Sequence, residues 1–219
     1  MFKRIFSYIL PFSLFQKEST ISGLLSVTLL NGKQILNSPN TDYSYGSLQR
    51  VLRFGLHKIG FDLIRSQEKV LVLGLAAGSV VETLVEEVNF QGEIHGVDID
   101  KEVIEIGKQY FHLGEIKNLQ IFIENAQDYI KRTHDRYDLV IVDIFQDDRM
   151  PNFLFEPLFF NQINNIINKE GIILFNTIVK NKQEFQRNRS FMHILKEKYN
   201  ILVFSKIELN NELIILTKK

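Results

Sequence analysis

The sequence predicts an α/β fold, in which a mostly parallel sheet with an antiparallel last strand follows a small N-terminal β-hairpin. From residue 69 onward, short β-branched and apolar runs alternate with segments of helical periodicity, a pattern typical of parallel strands covered by helices on both faces. The last two apolar runs are joined only by residues 206–211. This connection is too short for a crossover helix, so these strands should pair antiparallel. Upstream, Asn31-Gly32 separates two apolar runs and is a strong hairpin signal.

The N-terminal part is predicted to contain an amphipathic segment, residues 1–19, and a hairpin with a linking helix, residues 20–60. In the first segment, Pro11 ends a stretch whose apolar residues recur at helical spacing. We expect a short helix packed on the domain or on a second subunit, because a basic amphipathic segment is only a weak membrane signal. The same apolar surface makes a homodimer our expectation. The residues at helical spacing are Phe2, Ile5, Phe6, Ile9 and Leu10.

Residues 61–219 are predicted to form the main α/β domain. Its strands are continuous apolar runs, and each of its helices has one apolar face. The predicted strands are 70–73, 93–97, 119–123, 137–142, 171–175, 201–205 and 212–217. The predicted helices are 79–88, 101–111, 127–132, 158–167 and 182–198, in addition to the linking helix within 46–60.

Composition excludes several classes of site. The chain of 219 residues has 26 Lys plus Arg and 26 Asp plus Glu, so its formal net charge is zero. Sequence-independent nucleic-acid binding needs a clustered cationic excess, so no nucleic-acid partner is expected. The absence of cysteine excludes disulfides, thiolate zinc sites and cysteine nucleophiles and fits a cytoplasmic location. No run approaches the roughly 20 apolar residues of a transmembrane helix, so we expect no membrane span.

A loop of small residues, Gly74-Leu75-Ala76-Ala77-Gly78-Ser79, follows the first strand of the main domain and precedes a helix. Small residues allow a ligand to approach the backbone, and a helix N-terminus offers free N–H groups. The loop lacks the Gly-Lys-Ser/Thr of a P-loop and the Gly-x-Gly-x-x-Gly of a dinucleotide-binding turn. By itself it also fits a plain strand-to-helix turn.

Polar residues follow the next two strands. Asp98 ends the second strand, 24 positions after Gly74, where a carboxylate can bind the 2′- and 3′-hydroxyls of a ribose. Alternatively, Asp98 or Asp100 caps the following helix. The combination of loop and acid at this spacing favours nucleoside binding. Asn125-Ala126 follows the third strand and fits either a base-binding position or a simple Asx turn.

The segments VLVLGLAAGS, GVDID, ENAQDYI and YDLVIVDIF resemble motifs of class I S-adenosylmethionine-dependent methyltransferases. Within that superfamily the chain most resembles the spermidine synthase family. NGKQILNSPNTDYSYGSL is similar to that family's N-terminal hairpin and tyrosine-containing segment, and DLVIVDIFQDD…LFEPLFF to its loop after strand four. The resemblance covers residues 24–178 and is most specific at 70–143. It implies a Rossmann-like seven-stranded sheet that binds S-adenosylmethionine or its decarboxylated form.

The resemblance also implies which residues bind the cofactor, all of them at the ends of the first three strands of the main domain. They are Gly74, Ala76 and Gly78 along the methionine portion, Asp98 at the ribose hydroxyls, and Ile99, Asn125 and Ala126 at the adenine.

Three positions depart from the synthase pattern. Ala77 stands where the synthases have an aspartate, Gly46-Ser47 follows Tyr45 without their glutamate, and Gln146 replaces an acid after strand four. Desolvated ammonium groups of a polyamine need carboxylate partners. We therefore favour an S-adenosylmethionine-dependent methyltransferase with an unknown small-molecule or protein acceptor. The alternatives are an aminopropyltransferase that uses the decarboxylated cofactor and a non-catalytic binding protein that retains the fold.

Asp143 and Tyr45 are the predicted catalytic residues. Asp143 ends strand four, at the edge where ligands bind in such sheets. It would act as a general base or orient the acceptor, unless it only anchors the loop. Tyr45 would close over the site from the hairpin, or pack in the core. Asp143, Asp147, Asp148 and Asn176 also provide oxygen ligands suited to magnesium, but metal-dependent O-methyltransferases usually have an acid after strand five, so no metal is predicted.

Overall fold

The computed structural model describes residues 7–38, 42–146 and 149–219. Its N-terminal sheet is antiparallel and has the order β1-β2-β3-β4. These strands are β1 (Phe12–Ser19), β2 (Gly23–Leu30), β3 (Lys33–Asn37) and β4 (Asp42–Ser44). Strands β2 and β3 form the predicted hairpin, and its turn residues Asn31 and Gly32 both have positive φ, 51° and 74°, as a type I′ turn requires.

The N-terminal sheet is larger than the predicted hairpin because β1 and β4 flank it. β1 lies in the second half of the predicted amphipathic segment 1–19, beyond its predicted helix, and its residues pair with β2 from Phe12 to Ser19. The predicted helix spans Phe2 to Leu10. Its residues 2–6 lie outside the described residues, whereas Ser7 to Leu10 form turns and a bend. Pro11 separates these turns from the strand.

The main sheet has seven strands in the order β10-β11-β9-β8-β5-β6-β7. Strands β9, β8, β5, β6 and β7 pair in parallel, whereas β11 is antiparallel to both of its neighbours. This arrangement confirms the predicted Rossmann-like fold. The strands are β5 (Lys69–Leu73), β6 (Glu93–Asp98), β7 (Leu119–Ile123), β8 (Tyr137–Val142), β9 (Ile167–Ile178), β10 (Tyr199–Ile207) and β11 (Asn211–Lys218).

Helices cover both faces of this sheet. One predicted helix, 79–88, begins as a single α-turn and continues as a π-helical segment, Thr83–Glu87. In the described residues, no helix is both long and apolar enough to cross a bilayer. The α-helices are α1 (Gly46–Ile59), α2 (Phe61–Arg65), α3 (Ser79–Glu82), α4 (Lys101–Tyr110), α5 (Ala126–Arg132), α6 (Pro157–Ile166) and α7 (Lys182–Leu195).

Two apolar clusters lie on the main sheet, and a third joins it to the N-terminal sheet. Helix α1 contributes Val51, Leu52 and Leu56 to one of the sheet clusters, so the linking helix packs into the main core. The division of the chain at residues 19 and 60 stays a prediction. The third cluster brings together residues of the N-terminal sheet, of the small-residue loop and of α4, namely Leu25, Val27, Leu36, Ala76, Ala77, Val103, Ile106 and Phe111.

A buried carboxylate also ties the two sheets together. Asp100 caps helix α4, where its Oδ1 accepts hydrogen bonds from the backbone N–H groups of Glu102 and Val103 at 2.9 and 3.4 Å. Its Oδ2 accepts from the hydroxyls of Ser19 and Ser22 at 2.5 and 2.6 Å. Of the two residues considered as the cap of this helix, Asp100 is the cap, and the Asp98 side chain faces the neighbouring loop.

Candidate active site

A cleft opens at the carboxyl ends of β5, β6, β7 and β8. Its volume is about 1100 Å³ when the open space at its mouth is included. Seven of the nine predicted site residues line it, and Tyr45 and Gly78 do not. The seven are Gly74, Ala76, Asp98, Ile99, Asn125, Ala126 and Asp143.

Gly74 makes the turn that opens this cleft. Its φ is +89°, and its N–H donates to the carbonyl of Val97 at 2.9 Å. A Cβ at position 74 would meet the carbonyl oxygen of Asp143 at 2.1 Å. Both the left-handed backbone and this close approach require glycine. The chain therefore leaves β5 packed closely against the backbone at the end of β8.

Asp98 lies buried at the end of β6, beneath the loop. Its Oδ2 accepts a hydrogen bond from the Ala76 N–H at 2.8 Å, and its Oδ1 accepts from the Asp100 N–H at 2.9 Å. Burial raises the pKa of Asp98 to about 6, although these backbone donors oppose the rise. An ionised carboxylate has about four acceptor positions, so Asp98 keeps acceptor capacity toward the cleft that it lines.

The ends of β6 and β7 form the side of the cleft that holds the residues predicted to contact adenine. Ile99 is 47% exposed, a large apolar surface at the mouth, and Ala126 adds a small buried side chain. The Asn125 side chain accepts a hydrogen bond from the Gln127 N–H at 2.8 Å and caps α5. Asn125 therefore forms the Asx-type cap considered from the sequence while lining the cleft.

Asp143 is buried where the loop after β8 begins. Its N–H donates to the Leu73 carbonyl at 2.8 Å, which continues the pairing of β8 with β5. The Asn176 Nδ2 donates to its Oδ1 at 2.8 Å. Burial, assisted by the nearby charge of Asp98, raises the pKa of Asp143 to about 7, and the bond from Asn176 opposes the rise. A carboxyl group that titrates near neutrality is well suited to proton transfer.

The charge of the cleft is negative. Three carboxylates line it, those of Asp98, Glu124 and Asp143, and none of its described lining residues is a lysine or an arginine. The Glu124 carboxylate is paired with Arg132, which approaches from outside at 2.9 Å. Asp98 and Asp143 thus remain as the two carboxylates without a cationic side-chain partner in the described part of the chain. Such a cleft stabilises a cationic ligand.

Tyr45 and Gly78 lie outside this cleft. The Tyr45 ring stacks on Phe111, with the centroids 4.6 Å apart and the planes at 17°, in a separate surface cleft that Glu82 also lines. Burial and the neighbouring Glu82 raise the pKa of the Tyr45 hydroxyl above its ordinary range. Gly78 begins α3 with φ +89°, and its missing side chain leaves space for Leu113. The structure does not bring either residue to Asp143.

Sequence reasoning missed several lining residues. Ser47 and Leu48 reach the cleft from the first turn of α1, and Asn211 reaches it from the start of β11. A signal for Asn211 was present, since an antiparallel last strand begins at the edge where the parallel strands end. The other lining residues that were not predicted are Ile21, Val97, Glu124, Ile144, Phe145, Gln146, Pro151, Phe153 and Ile178.

The magnesium alternative involves residues that are only partly described. Asp143 and Asn176 are adjacent, whereas Asp147 and Asp148 lie outside the described residues. Across residues 7–38, 42–146 and 149–219, no group of three or more His, Cys, Asp or Glu side chains is placed to hold a metal ion.

Similar proteins share this architecture. The polyamine aminopropyltransferase of Vibrio vulnificus is 26% identical over 139 residues, which cover 62% of this chain and 46% of that protein. Human methyltransferase-like protein 13, solved in complex with SAH, has a TM-score of 0.68 at 20% identity and covers 80% of this chain and 83% of its own. The spermidine synthase of Thermotoga maritima has a TM-score of 0.67 at 14% identity, with coverage of 94% and 73%.

These likenesses differ in what they establish. At 20% and 14% identity, the two solved structures show a common fold. The chain spans less than half the length of curated relatives that it matches. The spermine/spermidine synthase domain matches residues 55–206, which is more than half of the 219 residues. The chain therefore belongs to the spermine/spermidine synthase domain family.

Proposed function

We propose that this protein is an aminopropyltransferase that binds decarboxylated S-adenosylmethionine in the cleft and transfers its aminopropyl group to an amine. The observation that carries the proposal is the negative cleft, in which Asp98 and Asp143 lie without a basic neighbour among the described lining residues. The decarboxylated cofactor carries a sulfonium and an ammonium, so its charge is complementary. S-adenosylmethionine adds a carboxylate, which is costly to bury beside other carboxylates.

Family membership supports the same choice. Methyl transfer was favoured from the sequence because acids of the synthase pattern are missing, but the polyamine aminopropyltransferases among the relatives favour the alternative. Methyl transfer remains the second candidate, because the neutral side chains of Ser47 and Gln146 also line the cleft.

The residues of the cleft fit the adenosyl cofactor. The acceptor capacity of Asp98 suits a ribose diol, and the exposed face of Ile99 suits adenine. The small residues Gly74 and Ala76 line the cleft, which suits the side chain of the cofactor. When bound, the sulfonium makes the adjacent carbon electrophilic.

Asp143 then acts on the acceptor. Its carboxylate attracts the ammonium group, takes one proton from it and leaves a nucleophilic amine. A carbon–nitrogen bond forms while the carbon–sulfur bond breaks, and the sulfur leaves as a neutral thioether. The product nitrogen is a secondary ammonium, and Asp143 returns its proton to solvent. Because the pKa of Asp143 is about 7, it is sufficiently ionised at neutral pH to accept a proton.

The test is a transfer assay with two cofactors. The protein is incubated with putrescine, cadaverine or 1,3-diaminopropane and either decarboxylated S-adenosylmethionine or S-adenosylmethionine, and products are identified by mass spectrometry. We expect an aminopropylated amine and methylthioadenosine with the first cofactor, and a loss of about 10²-fold or more in rate for Asp143→Asn. A methylated product alone would establish the second candidate. Binding of either cofactor without transfer to these amines would count for the non-catalytic hypothesis.

Two other expectations stay predictions. A cytoplasmic location and a homodimer follow from the sequence alone, and analytical ultracentrifugation of the purified protein tests the second.

A further inference from the structure

Two asparagines connect Asp143 to the wall of the cleft. Asn176, fully buried on β9, donates its Nδ2 to the Oδ1 of Asp143 at 2.8 Å. Asn211, at the start of β11, donates its Nδ2 to the Oδ1 of Asn176 at 3.1 Å. Asn211 also lines the cleft. A continuous row of hydrogen bonds therefore runs from the cleft wall through a buried amide to the carboxylate.

The row has a fixed direction. An ionised carboxylate only accepts hydrogen bonds, so Asn176 must present its NH₂ group to Asp143 and its carbonyl oxygen to the other side. A donor is then needed at that oxygen, and the Asn211 amide supplies it. Asn211 thus determines which end of the Asn176 amide faces Asp143. Reversing Asn176 would place its oxygen against the carboxyl group and favour the protonated acid.

The position of these residues follows from the topology. β11 runs antiparallel between β9 and β10, so Asn211 begins at the edge where β8 and β9 end. Asn176 and Thr177 point to opposite faces of β9, as neighbours on a strand do. Thr177 belongs to a different buried network, in which Asn188 Nδ2 donates to Thr177 Oγ1 at 2.9 Å and to Glu212 Oε1 at 3.0 Å. Asn188 is also fully buried.

We propose that Asn176 and Asn211 are positioning residues, which orient the Asp143 carboxylate toward the acceptor and stabilise its ionised form. This proposal rests on the proposed role of Asp143 as the base, but the hydrogen-bonded row can be tested without any turnover. Both asparagines act through Asp143, and neither contacts the reacting atoms.

The groups that surround Asp143 determine whether its carboxyl group is protonated or ionised. β6 contributes the charge of Asp98, which favours protonated Asp143. β5 contributes the uncharged backbone of Gly74 and Leu73, and β9 contributes the neutral Asn176. Among the described residues, the bond from Asn176 is the side-chain contact that favours the ionised form.

The experiment measures the titration of Asp143 and the pH profile of the same variants. Asp143 is followed by ¹³C NMR of the side-chain carboxyl in the wild type, Asn176→Ala and Asn211→Ala, with Asn188→Ala as the matched control for loss of a buried asparagine. We expect the pKa of Asp143 to rise by roughly one to two units in Asn176→Ala, because hydrogen bonds to a charged group are among the strongest. Asn211→Ala should raise it less, and Asn188→Ala should leave it unchanged.

The acid limb of kcat/KM for aminopropyl transfer should move with these pKa values, whereas a merely structural role would lower the rate at all pH values. Should Asn176→Ala fail to fold, Asn211→Ala carries the test, because its side chain lies at the cleft wall. An unchanged Asp143 pKa in the folded variants, or an equal shift in Asn188→Ala, overturns the inference. The wild type could lack transfer activity although the pKa of Asp143 still changes in Asn176→Ala. That result would refute the proposed function and leave the positioning role standing.

Discussion

The α-carbon of Gly74 lies against the carbonyl oxygen of Asp143, so closely that a Cβ would be 2.1 Å from that oxygen. The N–H groups of both residues complete pairings between strands, from Gly74 to Val97 and from Asp143 to Leu73. The ends of β5, β6 and β8 are thereby held together where the cleft opens. The shape of the cleft depends on the absence of one methyl group.

Gly74→Ala should destabilise the protein by about 2–4 kcal/mol, because it adds a clash with rigid backbone to the strain of a positive φ. The matched control is Gly60→Ala, whose φ is +106° and whose Cβ would meet nothing within 4 Å. The control should lose only about 1 kcal/mol, from the backbone strain alone. Urea unfolding of both variants measures the difference, and equal losses would show that the close approach to Asp143 carries no cost.

Asp98→Asn should weaken cofactor binding roughly 10- to 100-fold, because a neutral amide replaces a charged acceptor of two ligand hydrogen bonds. Calorimetry with decarboxylated S-adenosylmethionine and with methylthioadenosine gives the affinities. Asp128→Asn on the exposed surface of α5 is the control for loss of one negative charge. If Asp98→Asn binds methylthioadenosine as tightly as the wild type does, Asp98 does not bind the ribose.

The stability of the protein should fall as the pH rises through the titration range of Asp143. The pKa of this carboxyl is about 7 in the folded protein and near its ordinary value of 3.8 in the unfolded chain. Between these values the folded state binds more protons than the unfolded state, so the free energy of unfolding decreases with pH, by up to about 4 kcal/mol from this group.

Asp143→Asn should reduce that decrease, since an amide does not titrate. Unfolding of both proteins in urea at pH 4.5 and pH 7.5 isolates the contribution. The pKa of Asp98 is also raised, to about 6. Asp98 therefore also lowers the stability as the pH rises, both in the wild type and in the variant. Parallel pH dependences for wild type and variant would contradict the raised pKa of Asp143.

Asp100→Ala should loosen the N-terminal sheet from the main domain. The substitution removes the cap of α4 and leaves the hydroxyls of Ser19 and Ser22 without their acceptor, which together should cost about 2–4 kcal/mol. Hydrogen exchange should accelerate in residues 12–37 more than in β5. The control Asp62→Ala removes a 95% exposed carboxylate and should change neither the free energy of unfolding nor the exchange rates. A uniform acceleration of exchange in Asp100→Ala would contradict a local contact between the two sheets.

Much of the fold was predictable because burial leaves a clear pattern in the sequence. A parallel strand such as β5, with Val70 to Leu73 all buried, is an unbroken apolar run. β1 was missed because its alternation of half-buried and exposed residues follows directly on an apolar segment with helical spacing. The π-helical segment after α3 has the same apolar periodicity as an α-helix and leaves no separate signal.

The cofactor side of the site was easier to predict than the acceptor side. Asp98 and Asp143 each follow a recognisable strand, so their positions at one edge follow from the parallel topology. Ser47 comes from a helix outside the parallel unit, and its approach depends on tertiary packing. Asn211 follows from the antiparallel last strand, but only once the start of that strand is placed at the residue. Tyr45 precedes Ser47 by two residues, yet its ring is turned to Phe111, a direction that spacing alone does not encode.

The packing of the N-terminal sheet has a consequence for how this chain varies in evolution. Leu25 and Leu36 share a buried cluster with Ala76 and Ala77, two residues of the loop that borders the cleft through Gly74 and Ala76. A larger residue at Ala77 would therefore require a compensating reduction on β2 or β3. We expect the two stretches to covary, so a chimera that exchanges residues 12–37 between homologues should retain activity only if the loop is transplanted with them.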